Sequence, residues 1–599
     1  MNLRDFCYKY FWWVGKAVLT TYPNIYTDVP LADMKIHPEV YASVVGFFFI
    51  LTAIISAFTM VAVATSPVVP PNLKSMVAVA LVFPPVLVLI LGSNLPRLIA
   101  HSRSGGIETE LPYTTAYLNI MSVGGLSPFV AFERLSNAVQ IFPRIARYAL
   151  RFTVLVRALG RDPISAFDDL AKRSLSPVLQ DLLIGYKVTV AAGGDIIDYL
   201  AKKATAYFQN LIVKTRVSGE RLASILESYL AVALLVLLTV NSIYLVNISV
   251  QYVSLPALSP ASLFLLSYIF LPFISFSIIY LADVIQYKEP GLEFRPYIAY
   301  FGITLPLMFF LIVFMVMPID FRRLRIIPLA KTLSDGVIAI GKFFNVDIAY
   351  YTSIGLALTL IIATIPSAIY EIFISRYYAG LFSGLTRFLR DLVEVRKTGV
   401  SPEKAILILS NRPYKHFTNY LREIALEISL GIPLTRILSR LVKEIKAWRV
   451  RAFMYILTDA IEIGGGDPEV LERMARFAEA AEMVEEEKKT SMRTLLIIPY
   501  IGAITLGATI VLMASFMGTL GAGAGAFRDA IRMLAPATVL NIYILGLVAG
   551  KVSSGTTYTG FKHAIFLTIM ALAVVLSSGF LARMLASIAT APPGGASLP

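Results

Sequence analysis

Apolar residues run along this chain in long uncharged blocks, separated by two extended stretches in which they recur at helical spacing. An uncharged apolar block of about 18 residues or more is long enough to cross a bilayer as a helix. The blocks predict nine spans, near Val44–Ala64, Val77–Ile99, Tyr229–Val250, Leu258–Asp283, Ile298–Met317, Ile348–Phe373, Leu495–Met517, Pro536–Ala549 and Ala564–Ile588. The eighth is the shortest and is flanked by polar residues. Between them lie two stretches with a helical rather than an alternating period, about Arg97–Ser228 and Arg376–Arg493. The chain therefore divides into an N-terminal segment (1–43), a transmembrane hairpin (44–99), a helical domain (100–228), four spans (229–375), a second helical domain (376–493), and three last spans with a tail (494–599). The expected fold class is an all-α polytopic membrane protein with about nine transmembrane helices and two homologous helical bundles on the cytoplasmic side.

Composition supports that division. Of 599 residues, 57% are hydrophobic and 15% charged, against about 25% charged in soluble domains. The two helical stretches hold 36 of the 53 Lys/Arg and 27 of the 39 Asp/Glu, so the charge is concentrated where the apolar blocks are absent. Residues 1–43 mix Arg4, Lys9, Lys16 and Lys35 with Phe6, Tyr8, Tyr10, Phe11, Trp12 and Trp13. That pattern suits a helix at the headgroup level, or equally one packed against the first span, and is not a cleaved signal peptide. Basic residues beside the spans (Arg97, Arg103, Arg216, Arg221, Arg376, Lys488, Lys489, Arg493) place both domains in the cytoplasm, the N-terminus inside and the C-terminus outside. The loop Pro318–Asp347, with Arg322, Arg323, Arg325, Lys331 and Lys342, then falls outside, against the same rule.

The two helical stretches repeat one another. Gly125-Leu126-Ser127-Pro128, Ala131, Ser136 and Asn137 match Gly399-Val400-Ser401-Pro402, Ala405, Ser410 and Asn411 at a constant offset of 274, shared by Leu118 and Leu392. Further on, Leu159-Gly160 with Pro163 matches Leu430-Gly431 with Pro433, and Gly193-Gly194-Asp195 matches Gly465-Gly466-Asp467. The matched residues are helix punctuation. A glycine ends one helix in a left-handed turn, Ser or Asp caps the next, and Pro occupies its first turn. Gly125, Ser127, Pro128, Gly160, Gly194 and Asp195, with Gly399, Ser401, Pro402, Gly431, Glu462, Gly466 and Asp467, are thus read as repeat joints.

Two basic faces stand out. Arg436, Arg440 and Lys443 lie opposite an apolar face of Ile437, Leu438, Leu441, Val442, Ile445 and Trp448, and Arg144, Arg147 and Arg151 recur at helical spacing in the first repeat. Each is either a solvated face or a dock for an acidic partner. The segment Leu471–Thr490 is rich in Ala and Glu, carries Glu479, Glu482 and Glu486 on one side, and leads into span seven. It is either a helix that transmits rotation or displacement from the cytoplasm to the membrane or, equally, a plain exposed helix.

Catalytic and ligand-binding chemistry is not legible. Gly336-Val337-Ile338-Ala339-Ile340-Gly341-Lys342-Phe343 imitates a phosphate-binding loop but ends without the hydroxyl that ligates Mg²⁺. Cys7 is the one cysteine, and His37, His101, His416 and His563 are scattered, so no metal site or cofactor is expected. Of the ionisable residues near spans, Asp283, Glu371 and Arg583 sit near the ends, and Asn241 and Asn247 read as interhelical hydrogen-bonders. The domains carry only about +5 and +4 net charge, too little with too few aromatics for nucleic acid.

A duplicated helical domain with Gly-x-Ser-Pro early and Glu-x-Gly-Gly-Gly-Asp late resembles the F-type domain of type II secretion systems, shared by type IV pilus and archaellum platform proteins. Gly399, Pro402 and Ala405 fit its first hairpin and Gly431 its joint, while Glu462, Gly464–Gly466 and Leu471 fit its last element loosely. The first repeat departs, with Ala191-Ala192-Gly193-Gly194 where that pattern has an acid. The resemblance implies a non-enzymatic platform in the cell membrane, docked by a hexameric secretion ATPase from the cytoplasm and meeting pilin- or archaellin-like subunits through its spans; a homodimer is compatible with it. In that setting Arg144, Arg147, Arg151, Arg436, Arg440 and Lys443 become the candidate ATPase-docking residues. The rival is a multi-span transporter with regulatory cytoplasmic domains, whose repeats belong in the spans.

Overall fold

The computed structural model describes residues 3–32, 34–65, 71–174, 176–250, 264, 266–286, 290–291, 294–519 and 524–590. Among them every regular element is a helix, and none is a strand. The chain forms two compact units: one from Met1–Asn210, Lys288–Gly291 and Leu381–Glu482, the other from Leu211–Tyr287, Leu292–Gly380 and Met483–Pro599.

In the first unit, the helix Leu3–Thr21 lies against the first span, Pro38–Thr65. The approach is close because it is made at small residues: a Cβ on Gly15 would strike Ser43, and one on Gly46 would sit 2.8 Å from Val14 Cγ1. Val14, Val18 and Leu19 are buried while Trp12 and Trp13 stay more than half exposed, so the packed alternative for this segment is realised with its tryptophans turned outward.

Both repeats lie in this unit, and each consists of six helices in the same order. The first runs through the end of Pro71–Val123, then Pro128–Arg134, Ile145–Thr153, Pro163–Lys172, Pro177–Ala191 and the start of Ile196–Val250. The second runs through the end of Tyr351–Lys397, then Pro402–Leu409, Phe417–Ser429, Leu434–Glu444, Trp448–Gly464 and the start of Pro468–Thr494. The core of the first repeat is aromatic: Phe132, Phe152 and Phe167 are buried, with the Phe152 and Phe167 rings 4.6 Å apart. In the second, Leu434, Ile437, Leu438, Leu441 and Val442 form the buried face of one helix. That helix ends at Glu444, so Trp448 opens the next one instead of extending this apolar face.

The second unit is a bundle of spans. In the chain as a whole, eight helices among the described residues are long and apolar enough to cross a membrane, Pro38–Val61 in the first unit among them, and they carry all the expected spans but one. Val77–Ile99 falls within Pro71–Val123, with many of its side chains outside the described residues. The short, polar-flanked eighth span is the surprise. It forms part of the helix Ala524–Ser554, and 89% of its apolar window is buried inside the bundle. Its few polar side chains meet protein partners. Gly546 and Gly550 meet the backbone of Ala564 and Gly560 so closely that neither glycine has room for a Cβ, the small-x₃-small contact by which membrane helices approach. Asn541 donates to the carbonyls of Ser267 and Ala537 at 3.1 and 2.8 Å, and the Tyr543 hydroxyl lies 3.0 Å from that of Thr364.

Candidate functional site

The joints are built alike in the two repeats, with differences in detail. Gly125 and Gly399 have φ of +89° and +81°, and Gly160 and Gly431 have +61° and +83°, a region costly for residues with a Cβ. After Gly125 the Leu126 N–H returns to the Met121 carbonyl at 3.0 Å, satisfying a helix end. Pro128 and Pro402 start the next helices; Ser401 accepts from the Lys404 N–H at 3.4 Å, but the Ser127 side chain makes no such bond. At the late joint the left-handed residue of the first repeat is Gly193, not Gly194, whereas both Gly465 and Gly466 take positive φ. Asp195 accepts from the N–H groups of Ile197 and Asp198 at 2.9 and 3.1 Å, and Asp467 from that of Glu469 at 2.7 Å.

Arg396, which the sequence pattern did not single out, ties the two joints of the second repeat together. Its guanidinium donates to the carbonyls of Val400, Gly465 and Gly466, the last at 2.8 Å. The first repeat has Ser122 at the matching position, bonded only within its own helix.

The repeats are joined face to face. Tyr117, fully buried on the lead helix of the first repeat, donates to Asp459 of the second at 2.7 Å and stacks on Tyr455. Tyr113 meets the Trp448 ring edge-on at 4.8 Å, and Trp448 Nε1 donates to the Ile141 carbonyl at 2.6 Å. At the margin Glu462 pairs with Arg134 at 3.3 Å. Burial raises the Asp459 carboxyl above its usual range, against the Tyr117 hydrogen bond and the Arg134 charge. A buried acid without partners would cost several kcal/mol; here Tyr117 and Arg134 hold it, and it fixes the pairing.

Glu110 is the second buried acid that the sequence reading passed over. It is wholly buried and accepts from the backbone N–H groups of Arg144 and Ile145 at 3.0 and 2.9 Å, capping the helix Ile145–Thr153. Burial pushes its carboxyl up to about 7, opposed by those two donors and by the Arg144 and Arg147 charges. Glu108 stands two positions away, so no local pattern marked Glu110 as the buried member of the pair.

Those contacts reorder the basic faces. Arg144 is half-buried, with its guanidinium lying where a Cβ on Gly106 would stand, whereas Arg147 and Arg151 are exposed. Arg440 is engaged by Glu423, Glu427 and Glu444, while Arg436 and Lys443 point outward on either side of it. The six candidates thus differ in setting: Arg144 is half-buried and Arg440 is ion-paired, while Arg147, Arg151, Arg436 and Lys443 are exposed.

Elsewhere, Gly336–Phe343 is not a loop at all but part of the helix Pro328–Phe343, so its amides are spent on the helix. Among the spans, Asp283 pairs with Lys551 at 2.5 Å and the fully buried Glu371 with Lys562 at 3.3 Å. The side chains of Asn241, Asn247 and Arg583 lie outside the described residues.

Comparison with known proteins bears on one part of the chain above all. Residues 388–514 match the family Type II secretion system (T2SS), protein F; they cover most of the second repeat and the first span after it. An uncharacterized protein of Methanocaldococcus jannaschii is 20% identical over 459 residues, covering 72% of this chain and 73% of its own. No solved structure matches.

Proposed function

Residues 388–514 being a type II secretion F domain, we propose that this chain is the membrane platform of a type IV pilus-like or archaellum machine. In this reading it hydrolyses nothing and couples a cytoplasmic secretion ATPase to the assembly of pilin- or archaellin-like subunits at its spans. The first repeat is a second F-type domain, on the strength of the constant sequence offset and the same order of six helices. Both repeats face the cytoplasm. The family match is the observation that carries the proposal, and the archaeal relative of similar length supports the setting.

The ATPase docks on the outward cations, Arg436 and Lys443 with Arg147 and Arg151. Exposed charges attract a partner over roughly a Debye length, ~10 Å at 0.1 M salt and ~3 Å at 1 M, so the contact is salt-sensitive. The test is the R436E/K443E variant of the full chain. Filament assembly should stop while protein level and membrane insertion stay normal, and the purified ATPase should bind the solubilised variant more weakly at low salt. Undiminished ATPase binding removes this surface from the proposal. Orientation is tested separately by cysteine labelling in intact cells at Arg173 and Asn411, both exposed, in a Cys7→Ser background. An impermeant reagent should label neither, and efficient labelling of either inverts the topology.

A further inference from the structure

The constant offset of 274 places Arg387, Arg390, Asp391 and Glu394 of the second repeat where the first has Tyr113, Ala116, Tyr117 and Ile120. In the first repeat this helix face is fully covered, and what covers it is known: the helix Trp448–Gly464, which brings Tyr455, the buried acid Asp459 and, at the margin, Glu462. In the second repeat the same face is open. Arg387 and Arg390 are exposed, and Arg387 makes no ion pair among the described residues. Together with Asp391, Arg412, Pro413 and Tyr414 they line a cleft of about 480 Å³.

The chemistry of the open face is settled by its neighbours. Asp391, at the position of Tyr117, accepts from Arg412 at 3.0 Å and from the Tyr414 hydroxyl at 2.7 Å, and Arg390 pairs with Glu479. Arg412 and Arg390 thus take the two carboxylates, Asp391 and Glu479, and Arg387 is left over. Ile408, half exposed, stands at the sequence position that Arg134 holds in the first repeat, so an apolar residue replaces a cation there. A guanidinium offers a planar fork to a carboxylate and is enriched at interface centres.

We infer that this face of the second repeat docks an acidic helix of a partner protein, one that presents carboxylates three residues apart beside an aromatic or aliphatic side chain, as Asp459, Glu462 and Tyr455 do for the first repeat. The inference stands on the repeat and on the cleft, and it holds whether or not the chain is a filament platform.

The test uses the full-length protein in detergent micelles and a fluorescein-labelled, alanine-rich helical peptide carrying Tyr, Asp and Glu at the spacing of residues 455, 459 and 462. Fluorescence anisotropy should show binding to the native protein at low salt, and none for the same peptide with lysine at both acid positions. Arg387→Glu should weaken binding at least tenfold and restore binding of the lysine peptide, while Arg387→Ala should weaken it about threefold without changing the circular dichroism spectrum. Binding that is indifferent to both variants overturns the inference. So does displacement of the peptide by inorganic phosphate at equal concentration, which would mark a simple anion site, or transfer of the binding to phosphatidylglycerol vesicles in preference to the peptide.

Discussion

Set side by side, the two repeats keep the same joints and spend the same surfaces differently. The lead helix of the first repeat buries Tyr113, Ala116, Tyr117 and Ile120, while the matching residues of the second are all charged, with Arg387, Arg390 and Glu394 exposed and Asp391 half-buried. The fifth helices differ in the opposite sense. Trp448–Gly464 is buried nearly all round, whereas Pro177–Ala191 leaves Ile184 and Val188 about half exposed. The lesson is about what a duplication preserves. A left-handed glycine is fixed by backbone geometry and has few substitutes; a helix face is fixed only by what covers it, and changes with its neighbour.

Three experiments would break or sharpen that contrast. The largest effect belongs to Trp448→Ala. It empties the contact with Tyr113 and orphans the Ile141 carbonyl, and should cost about 3–5 kcal/mol, read as loss of hydrogen-exchange protection in both repeats. Arg387→Ala, on the open face, should stay within ~0.5 kcal/mol. Equal effects would mean that the two faces are energetically alike.

Next comes Glu110, which has no acidic counterpart because Gly384 holds its place. Its carboxyl sits near 7 when folded, against an ordinary value of 4.5. Between those values the folded state binds more protons than the unfolded chain, so its contribution to stability is fully present below about 4.5 and is lost as the pH rises through 7. The full swing is of order 3 kcal/mol. Exchange protection around residues 107–117 should rise from pH 7.5 to 5 in the native protein and stay flat in Glu110→Gln. A flat native profile would remove the buried acid from the account.

Gly384→Ala is the smaller counterpart in the second repeat. A Cβ there runs into the Tyr414 carbonyl and comes within 2.9 Å of Phe417 Cβ, so the variant should lose about 1–3 kcal/mol, confined to exchange in residues 381–429. Spread of the loss into the first repeat would show that the joints are not independent.

The all-α, multi-span class was legible because long apolar blocks and helical periodicity are local properties. The glycines at 125, 160, 399 and 431 were legible as turns for the same reason. What was hidden depends on partners far along the chain. Tyr117 and Asp459 lie 342 positions apart, and neither residue alone signals the other. Arg396 looked like an ordinary charge at a helix end, and only the meeting of two joints gives it three carbonyls. Arg440 read as a free cation because its carboxylates come from the preceding helix and from its own far end. The residue left at 194 instead of 193 marks the limit of reading two adjacent glycines, since either can take the left-handed turn.

The buried eighth span has a consequence for biogenesis. A helix carrying Asn541 and Lys551 is a poor lodger in bare lipid, since polar groups there find few partners. Its polar partners on other spans, Ser267, Asp283, Gln286 and Thr364, precede it in the chain. By the time the ribosome delivers Ala524–Ser554 those groups have already been made, and Gly560 and Ala564 follow at once to close against Gly546 and Gly550. The order of synthesis thus matches the order of need: the span least able to stand alone is made after its polar partners.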